Sequence, residues 1–383
     1  MDHPRSMRAP FIIACCRAII AASIALASNA RCADLEASLR GQLSSIARLI
    51  RSNGSWDGDG TLRYVPQLTL AIPLGPGRVI DLEVAANSFG QAETNGESDA
   101  DLELYRLKLR LATQRTETRL GLQQLNFGPA YVLRPLRWFD VLDPRDPLML
   151  TDGVYALGFK YTSRSNASIW LWGLYGNDEP KGYETAPSAD DKAELGGRFQ
   201  VPVPAGEMAV TMHRRMVAGA APLLDDYEER RFAMDGRWDA GIAFWIEAAF
   251  TQTLNGSLPY EWNTMATIGA DYTFPIGSGI HVLTESMAIA ASKDPFEWDQ
   301  HSWISALSVG YSIGYMDRSS AIATYSWEDD AYSIYADWTR SWDRLAFHLA
   351  VFRYPEASPL GSLHISASPY SVSGAQITVV FNH

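Results

Sequence analysis

The sequence predicts an all-β fold in which one antiparallel sheet closes into a single transmembrane β-barrel. Three observations predict it. Apolar and polar residues alternate with period two along most of the 383-residue chain, short and long connections alternate between the segments, and Trp and Tyr cluster near segment ends. Counting the segments gives about 18 strands, with about 16 as the alternative.

Residues 101–112 show the alternation clearly. Leu107 and Leu109 fall on one face, whereas Arg106, Lys108 and Arg110 fall on the other. In a membrane barrel the apolar side chains meet lipid and the charged ones line the lumen. In a soluble sandwich the apolar face would cover a core instead. A soluble periplasmic binding protein is therefore the alternative to a membrane barrel.

The connections between segments fall into two groups that alternate along the chain. The short ones are residues 73–77, 112–115, 163–166, 202–206, 239–241, 275–279, 316–319 and 341–344. The others are residues 52–60, 87–99, 126–153, 177–192, 218–229, 255–261, 293–301, 328–330 and 354–370. Membrane barrels have short periplasmic turns and longer extracellular loops, so this alternation predicts an even number of strands.

Aromatic residues support the same interpretation. The chain has 12 tryptophans and 17 tyrosines, many of them near the ends of the candidate strands. Amphipathic rings favour the boundary between membrane and water, where each ring can lie partly in both phases. Packing of these rings in a protein core is the alternative.

The N-terminus has the features of an export signal. Arg5 and Arg8 precede an apolar run over residues 11–26, and Ser28 and Ala30 supply the small residues of a cleavage site. We expect residues 1–30 to be a cleaved signal peptide and residues 34–383 to form the barrel, with an N-terminal anchor helix as the alternative. Only Cys32 lies beyond the signal, so no internal disulfide is expected.

Composition and motifs restrict the function. A net charge of −12 argues against nucleic acid as a partner. Neither a phosphate-binding loop nor zinc-ligand spacing is present, so no cofactor or metal is expected. The histidines lack a Gly-x-Ser-x-Gly nucleophile elbow. We expect a protein that is not an enzyme, with a lipid or lipopolysaccharide hydrolase as the alternative.

The connection that follows the fifth candidate strand is long enough to be functional. Its place after the fifth strand resembles that of the constriction loop of general porins, and this resemblance implies that residues 126–152 fold inward and narrow the pore. Its candidate constriction residues are Arg134, Arg137, Asp140, Asp143, Arg145, Asp146 and Asp152. The facing lumen wall would carry Arg106, Lys108, Arg110 and Arg119. Charges in a narrow constriction sort solutes, and this wall would favour anions. Alternatively, the arginines pair with wall carboxylates such as Asp81, Glu83 and Glu117, which removes the ion preference.

The same segment resembles a pattern of porin-like outer-membrane proteins, including alginate-export-type barrels. It reads Gly121-Leu122-Gln123, then Phe127-Gly128, and later Asp143-Pro144-Arg145-Asp146. Leu122, Phe127 and Asp143 stand where the family usually has Arg, Trp and Asn. The position of the segment is also similar to that of the constriction loop in general porins. The rest of the chain resembles the family by strand rhythm.

The resemblance implies a channel in the outer membrane of a Gram-negative cell, through which small polar or anionic solutes diffuse. A specific oligosaccharide exporter is an alternative within the same family. Outer-membrane lipid and lipopolysaccharide would surround the barrel, and the resemblance includes a homotrimer as a candidate assembly. Residues 375–381 resemble the last strand that the barrel-assembly machinery recognises, although Asn382 and His383 follow the terminal aromatic residue.

Overall fold

A computed structural model describes residues 35–52, 55–94, 96–219, 225–254, 260–355 and 373–383. Within these ranges the chain forms strands and connections without helices. No helix that is long and apolar enough to span a membrane occurs among them. The predicted signal peptide, residues 1–30, lies outside the described residues, as does most of the connection predicted at 354–370.

The strands follow one another along the chain and are numbered β1 to β18. Their bounds are Glu36–Ser52, Ser55–Pro73, Val79–Glu93, Ser98–Ala112, Thr116–Gln123, Val154–Thr162, Ser168–Leu174, Glu194–Val203, Gly206–Val217, Tyr227–Asp239, Ala243–Leu254, Trp262–Phe274, Ile280–Ser292, Gln300–Ile313, Asp317–Ser326, Ala331–Ser341, Leu345–Arg353 and Ser373–Asn382.

The sheet closes on itself. Each strand pairs antiparallel with its neighbours in sequence, and β1 pairs with β18 from Gln42 opposite Asn382 to Arg51 opposite Ser373. The prediction of an 18-stranded antiparallel barrel is confirmed, and the alternative of 16 strands is wrong. Each of the described strands therefore has a partner on both sides, although residues 98–106 of β4 extend beyond β5 and pair with β3 alone.

The two faces of the barrel differ in chemistry. On β9, Met208, Val210 and Met212 point outward and are exposed, whereas the alternate residues Thr211 and His213 point inward and are buried. Exposed Leu, Ile, Phe, Val and Met side chains recur in this way around the barrel. The predicted assignment, apolar outside and polar inside, is confirmed.

The connections also follow the predicted alternation, with two corrections. One end of the barrel has only short turns, and the other end carries the long connections 124–153 and 175–193. The loops predicted at 52–60 and 87–99 are mostly strand, because β1 pairs with β2 as far as Ser52 and Ser55, and β3 with β4 as far as Ala92 and Ser98. Their charged residues suggested loops, but charged side chains also suit the inner face of a strand.

A proline in the closing strand should prevent barrel formation. Val379 of β18 lies between Ser45 of β1 and Phe347 of β17. Val379→Pro removes a backbone donor from the middle of the sheet. We expect the variant to lose the folded species that migrates differently from boiled protein on an SDS gel. Val379→Thr, which keeps a β-branched side chain and the donor, should retain that species. Heat-modifiable migration of the proline variant would contradict the importance of this closure.

Candidate functional site

The connection between β5 and β6 enters the barrel. This segment, residues 124–153, is called the inward loop. Leu133, near its middle, is 0% exposed and packs against Met287 of β13 and against Ile304 and Ala306 of β14. These strands lie across the barrel from β5, so the loop crosses the lumen. The predicted inward fold of this connection is confirmed.

A carboxylate on the wall holds the tip of the inward loop. Glu285 of β13 accepts hydrogen bonds from the backbone amides of Tyr131, Val132 and Leu133, at 2.7, 2.8 and 2.7 Å. It also accepts one from the indole nitrogen of Trp245 at 3.1 Å. Successive amides that converge on one anion form a nest, so a single side chain satisfies three donors that have no strand partner.

A second carboxylate holds the loop on both sides of this tip. Glu247 of β11 accepts hydrogen bonds from the amides of Ala130 at 3.1 Å and Leu136 at 2.5 Å. Gly128 makes this approach possible, since a Cβ atom there would lie 2.3 Å from Glu247 Oε2. Its φ of +94° also favours glycine. The sequence places Glu247 and Glu285 on the inner face but gives no sign that they bind the loop.

Aromatic rings fix the remainder of the loop against the opposite wall. Phe127 stacks on Trp172 of β7 with centroids 5.3 Å apart, and Phe139 meets His213 of β9 edge-on at 4.9 Å. Trp138 belongs to the same buried cluster. The inward loop is therefore attached to strands on both sides of the barrel.

Three of the predicted constriction residues lie inside the fold of the loop. Arg134 donates two hydrogen bonds to the Asp140 carboxylate, at 2.5 and 3.0 Å, and Arg137 Nε donates to the Asp140 carbonyl at 3.3 Å. Burial acts to lower the pKa of Arg134, but the hydrogen bond and charge of Asp140 outweigh it and the pKa is raised. All three residues are buried, so they shape the loop instead of presenting free charge to solutes.

The other four predicted constriction residues are less uniform. Arg145 pairs with Asp143 at 2.6 Å, and the Asp143 side chain keeps 33% of its exposure. Asp146 accepts hydrogen bonds from the amides two and four residues further on, at 2.9 and 3.2 Å. Burial, the largest effect, raises the pKa of Asp146. Asp152 is exposed. Asp143 and Asp152 are therefore the members of the set most accessible to solutes.

The predicted basic wall is a ladder of ion pairs. Lys108 of β4 binds Glu83 of β3 at 2.9 Å, and Arg110 binds Asp81 at 2.8 Å. Arg106 is buried and donates to the carbonyl of Thr151 at 2.8 Å. These pairs correspond to the alternative in which wall carboxylates neutralise the arginines.

The ladder continues into β5. Arg119 binds Glu117 at 2.5 Å, and Arg110 reaches the same carboxylate at 3.4 Å. The side chains of Arg110 and Arg119 nevertheless keep 35% and 38% of their exposure. The structure therefore brings all four predicted wall residues to one inner face, with each base compensated by an acid or a carbonyl oxygen.

A second connection also enters the barrel, and sequence reasoning missed it. In this second inward loop, residues 175–193, Lys181 binds Glu194 of β8 at 2.9 Å. Glu184 binds Arg215 of β9 at 3.0 Å and Arg231 of β10 at 2.9 Å. The sequence shows only a polar connection here. Charged residues are as frequent in loops that remain in solvent as in loops that enter a lumen. No local pattern separates the two cases.

The contacts of His213 and His348 do not combine a carboxylate on one ring nitrogen with a hydroxyl on the other, as a hydrolytic relay would. His213 accepts a hydrogen bond from the indole of Trp172 at 3.2 Å and contacts Glu194 at 3.0 Å. The hydroxyl of Thr339 contacts the His348 ring at 2.8 Å and donates to Asp337 at 3.1 Å, so the carboxylate engages the hydroxyl and not the imidazole. Among the described residues, no group of three or more side chains is placed to hold a metal ion.

Comparisons with known proteins agree on the fold. No protein-family model matches the chain, and no curated protein matches its sequence. OccAB1 of Acinetobacter baumannii is similar in structure, with a TM-score of 0.58 and 10% identity over 91% of this chain and 96% of that one. OccK5 of Pseudomonas aeruginosa gives 0.56 and 10% identity over 91% and 98%. An anion-selective porin from Comamonas acidovorans gives 0.50 and 12% over 91% and 100%. The chain therefore shares the barrel fold of outer-membrane porins.

Removal of the Glu285 carboxylate should release the tip of the inward loop. A hydrogen bond to a charged group contributes about 1.5–3 kcal/mol. Losing even one therefore lowers the protection of that amide from hydrogen exchange by roughly tenfold or more. We expect Glu285→Ala to increase hydrogen exchange at the amides of Tyr131, Val132 and Leu133. Glu285→Gln, which keeps an acceptor oxygen, should have a smaller effect. Glu83→Gln is the control, because Glu83 binds the wall and not the loop. Unchanged exchange in Glu285→Ala would show that packing alone holds the tip.

Gly128 offers a separate test of the contact with Glu247. Gly128→Ala adds a Cβ atom to a left-handed residue and also places it against the carboxylate. Gly75, in the turn after β2, has a φ of +111° but open space around it. Gly75→Ala should therefore cost only the backbone strain, about 1–2 kcal/mol. We expect Gly128→Ala to lower the unfolding temperature further than Gly75→Ala. Equal decreases in unfolding temperature for the two variants would argue against the close contact between Gly128 and Glu247.

Proposed function

We propose that this chain forms an outer-membrane channel of the porin type, in a Gram-negative cell, through which small polar solutes diffuse. The single observation that carries the proposal is the division of a closed barrel into an apolar outer face and a charged inner face. Large contiguous apolar surfaces are rare on soluble proteins. A bilayer accepts such a surface when all backbone groups are bonded within the sheet.

Export and membrane partners fit this proposal. Residues 1–30 have the composition of a signal peptide that would direct the chain across the inner membrane. Lipid and lipopolysaccharide would then surround the outer face, and β18 would serve as the strand that the assembly machinery recognises. A homotrimer remains a prediction.

The inward loop supports selection of solutes by size. It crosses the lumen and is held by Glu247 and Glu285, so its backbone narrows the path. Asp143 and Asp152 are the loop charges most accessible to solutes, and Arg110 and Arg119 are the partly exposed bases of the wall. We infer that charges of both signs line the path of solutes and that its ion preference is set by the balance within the wall ladder.

The ladder argues for a weaker anion preference than a row of free bases would give. Every base in it has an acceptor within 3.4 Å. Paired charges produce weaker fields at a distance than isolated ones. A hydrolase, the alternative class, is not favoured by the partners of His213 and His348. An oligosaccharide exporter would share the barrel and would differ in its solute.

Conductance of the purified protein tests the proposed channel. The full chain without its signal, inserted into a planar bilayer, should give stepwise increases in current. Heat-denatured protein in the same detergent is the control and should give none. A correctly folded, heat-modifiable barrel that gives no steps, or that hydrolyses lipid without conducting, would overturn the proposal.

Opposite substitutions in the ladder should move ion selectivity in opposite directions. Lys108→Ser with Arg110→Ser leaves Glu83 and Asp81 unpaired, so the reversal potential in a salt gradient should shift towards cations. Glu83→Gln with Asp81→Asn leaves Lys108 unpaired and Arg110 with only the more distant Glu117, so it should shift the reversal potential towards anions. Arg106 is omitted because it holds the inward loop. Identical reversal potentials in both double variants would show that the ladder lies away from the ion path.

A further inference from the structure

Two arginines lie side by side on the outer face of the barrel. Arg214 of β9 is directly opposite Arg230 of β10, and their side chains are 63% and 58% exposed. Glu228 binds both, at 2.7 Å to Arg214 and 2.6 Å to Arg230. Directly opposed like charges are destabilising, and one carboxylate compensates only one of the two. The cluster therefore has one uncompensated positive charge.

The arginines lie near the end of the barrel that carries the long connections. Arg214 is three residues before the end of β9 at Val217, and Arg230 is three residues after the start of β10 at Tyr227. In membrane barrels the long connections are extracellular. An outward arginine costs about 2–4 kcal/mol at the bilayer centre but about 0–1 near its surface. The pair is thus suited to the head-group level of the outer leaflet.

Directly below the arginines, towards the bilayer centre, the outer surface forms an apolar groove of about 850 Å³. Met212 and Phe232 are the next outward pair on β9 and β10, and they line it. Gly197 of β8, opposite Met212, supplies no side chain, and Leu171, Leu195 and Phe199 around it also line the groove. The volume lies within the range of ligand sites, roughly 300–1,000 Å³. A row of uniform aliphatic side chains would leave no such groove.

We propose that this surface binds a phosphorylated glycolipid of the outer leaflet, of the lipid A type, with a phosphate on Arg214 and Arg230 and an acyl chain in the groove. The site rests on the proposed function for its placement in the outer leaflet. Guanidinium groups bind phosphate through paired hydrogen bonds, and two neighbouring groups can hold one phosphate. Charge complementarity favours this occupant over a second copy of the chain, whose outward surface is apolar over most of its area.

Native mass spectrometry of the full chain without its signal, in detergent micelles, tests the site with bis-phosphorylated lipid A as the probe. Because each lost charge-assisted hydrogen bond is costly, we expect Arg214→Ser with Arg230→Ser to bind lipid A about tenfold or more weakly than the parent. Arg353→Ser is the matched control. Arg353 is also an exposed arginine at the long-connection end of its strand, but it lies over the ring of Tyr332, 4.9 Å from its centroid, and outside the groove.

Further probes separate the parts of the proposal. Lipid A without phosphates should bind the parent as weakly as bis-phosphorylated lipid A binds the double variant, and phosphatidylglycerol should bind less than lipid A. Three results would overturn the site. The parent and the double variant could bind lipid A equally, Arg353→Ser could lose as much lipid A binding as the double variant, or the parent could bind phosphatidylglycerol as well as lipid A. A further result would be a parent that forms oligomers that take up no lipid A and that dissociate in the double variant. That result would assign the groove to a second copy of the chain and would also overturn the lipid site. Because the measurement needs no conductance, failure of the site and failure of the channel are distinguishable.

Discussion

Pairing between β1 and β18 is the constraint on which the rest of the structure depends. It gives each described strand two neighbours, so most backbone donors and acceptors of the sheet are bonded within the barrel. The outer face can then consist largely of apolar side chains, as at Met208, Val210 and Met212. An open sheet of the same strands would present an edge that pairs with other chains. Closure therefore permits both the apolar exterior and the charged interior.

The interior poses the opposite problem, because two irregular segments are folded into it. Backbone amides in such segments have no strand partner, and a buried amide without an acceptor is costly. Glu247 and Glu285 solve this by accepting five amides between them from the inward loop. The second inward loop uses ion pairs between side chains instead, through Lys181 and Glu184. The contents of the lumen are thus fixed by the polar face of the wall.

Much of the fold could be predicted, and much of the site could not. Period-two alternation identified the faces of β4, and the lengths of the connections identified the ends of the barrel. The polar residues of 52–60 predict a loop, whereas Asp59 pairs with Arg48 across β1 and β2. The candidate constriction set follows from charge alone. Charge does not reveal that Arg134 and Asp140 satisfy each other inside the loop.

By itself, the sequence determined the approximate number of strands, which side chains share a face, and which connection is long enough to enter the lumen. These properties depend on neighbouring residues, because strand geometry repeats every two positions. Only the tertiary structure decided which charges are paired, where the inward loop is held, and that Arg214 lies beside Arg230. These contacts depend on strand register and on partners far apart in the chain, as with Leu133 and Glu285, which are 152 residues apart. No local pattern carries that information.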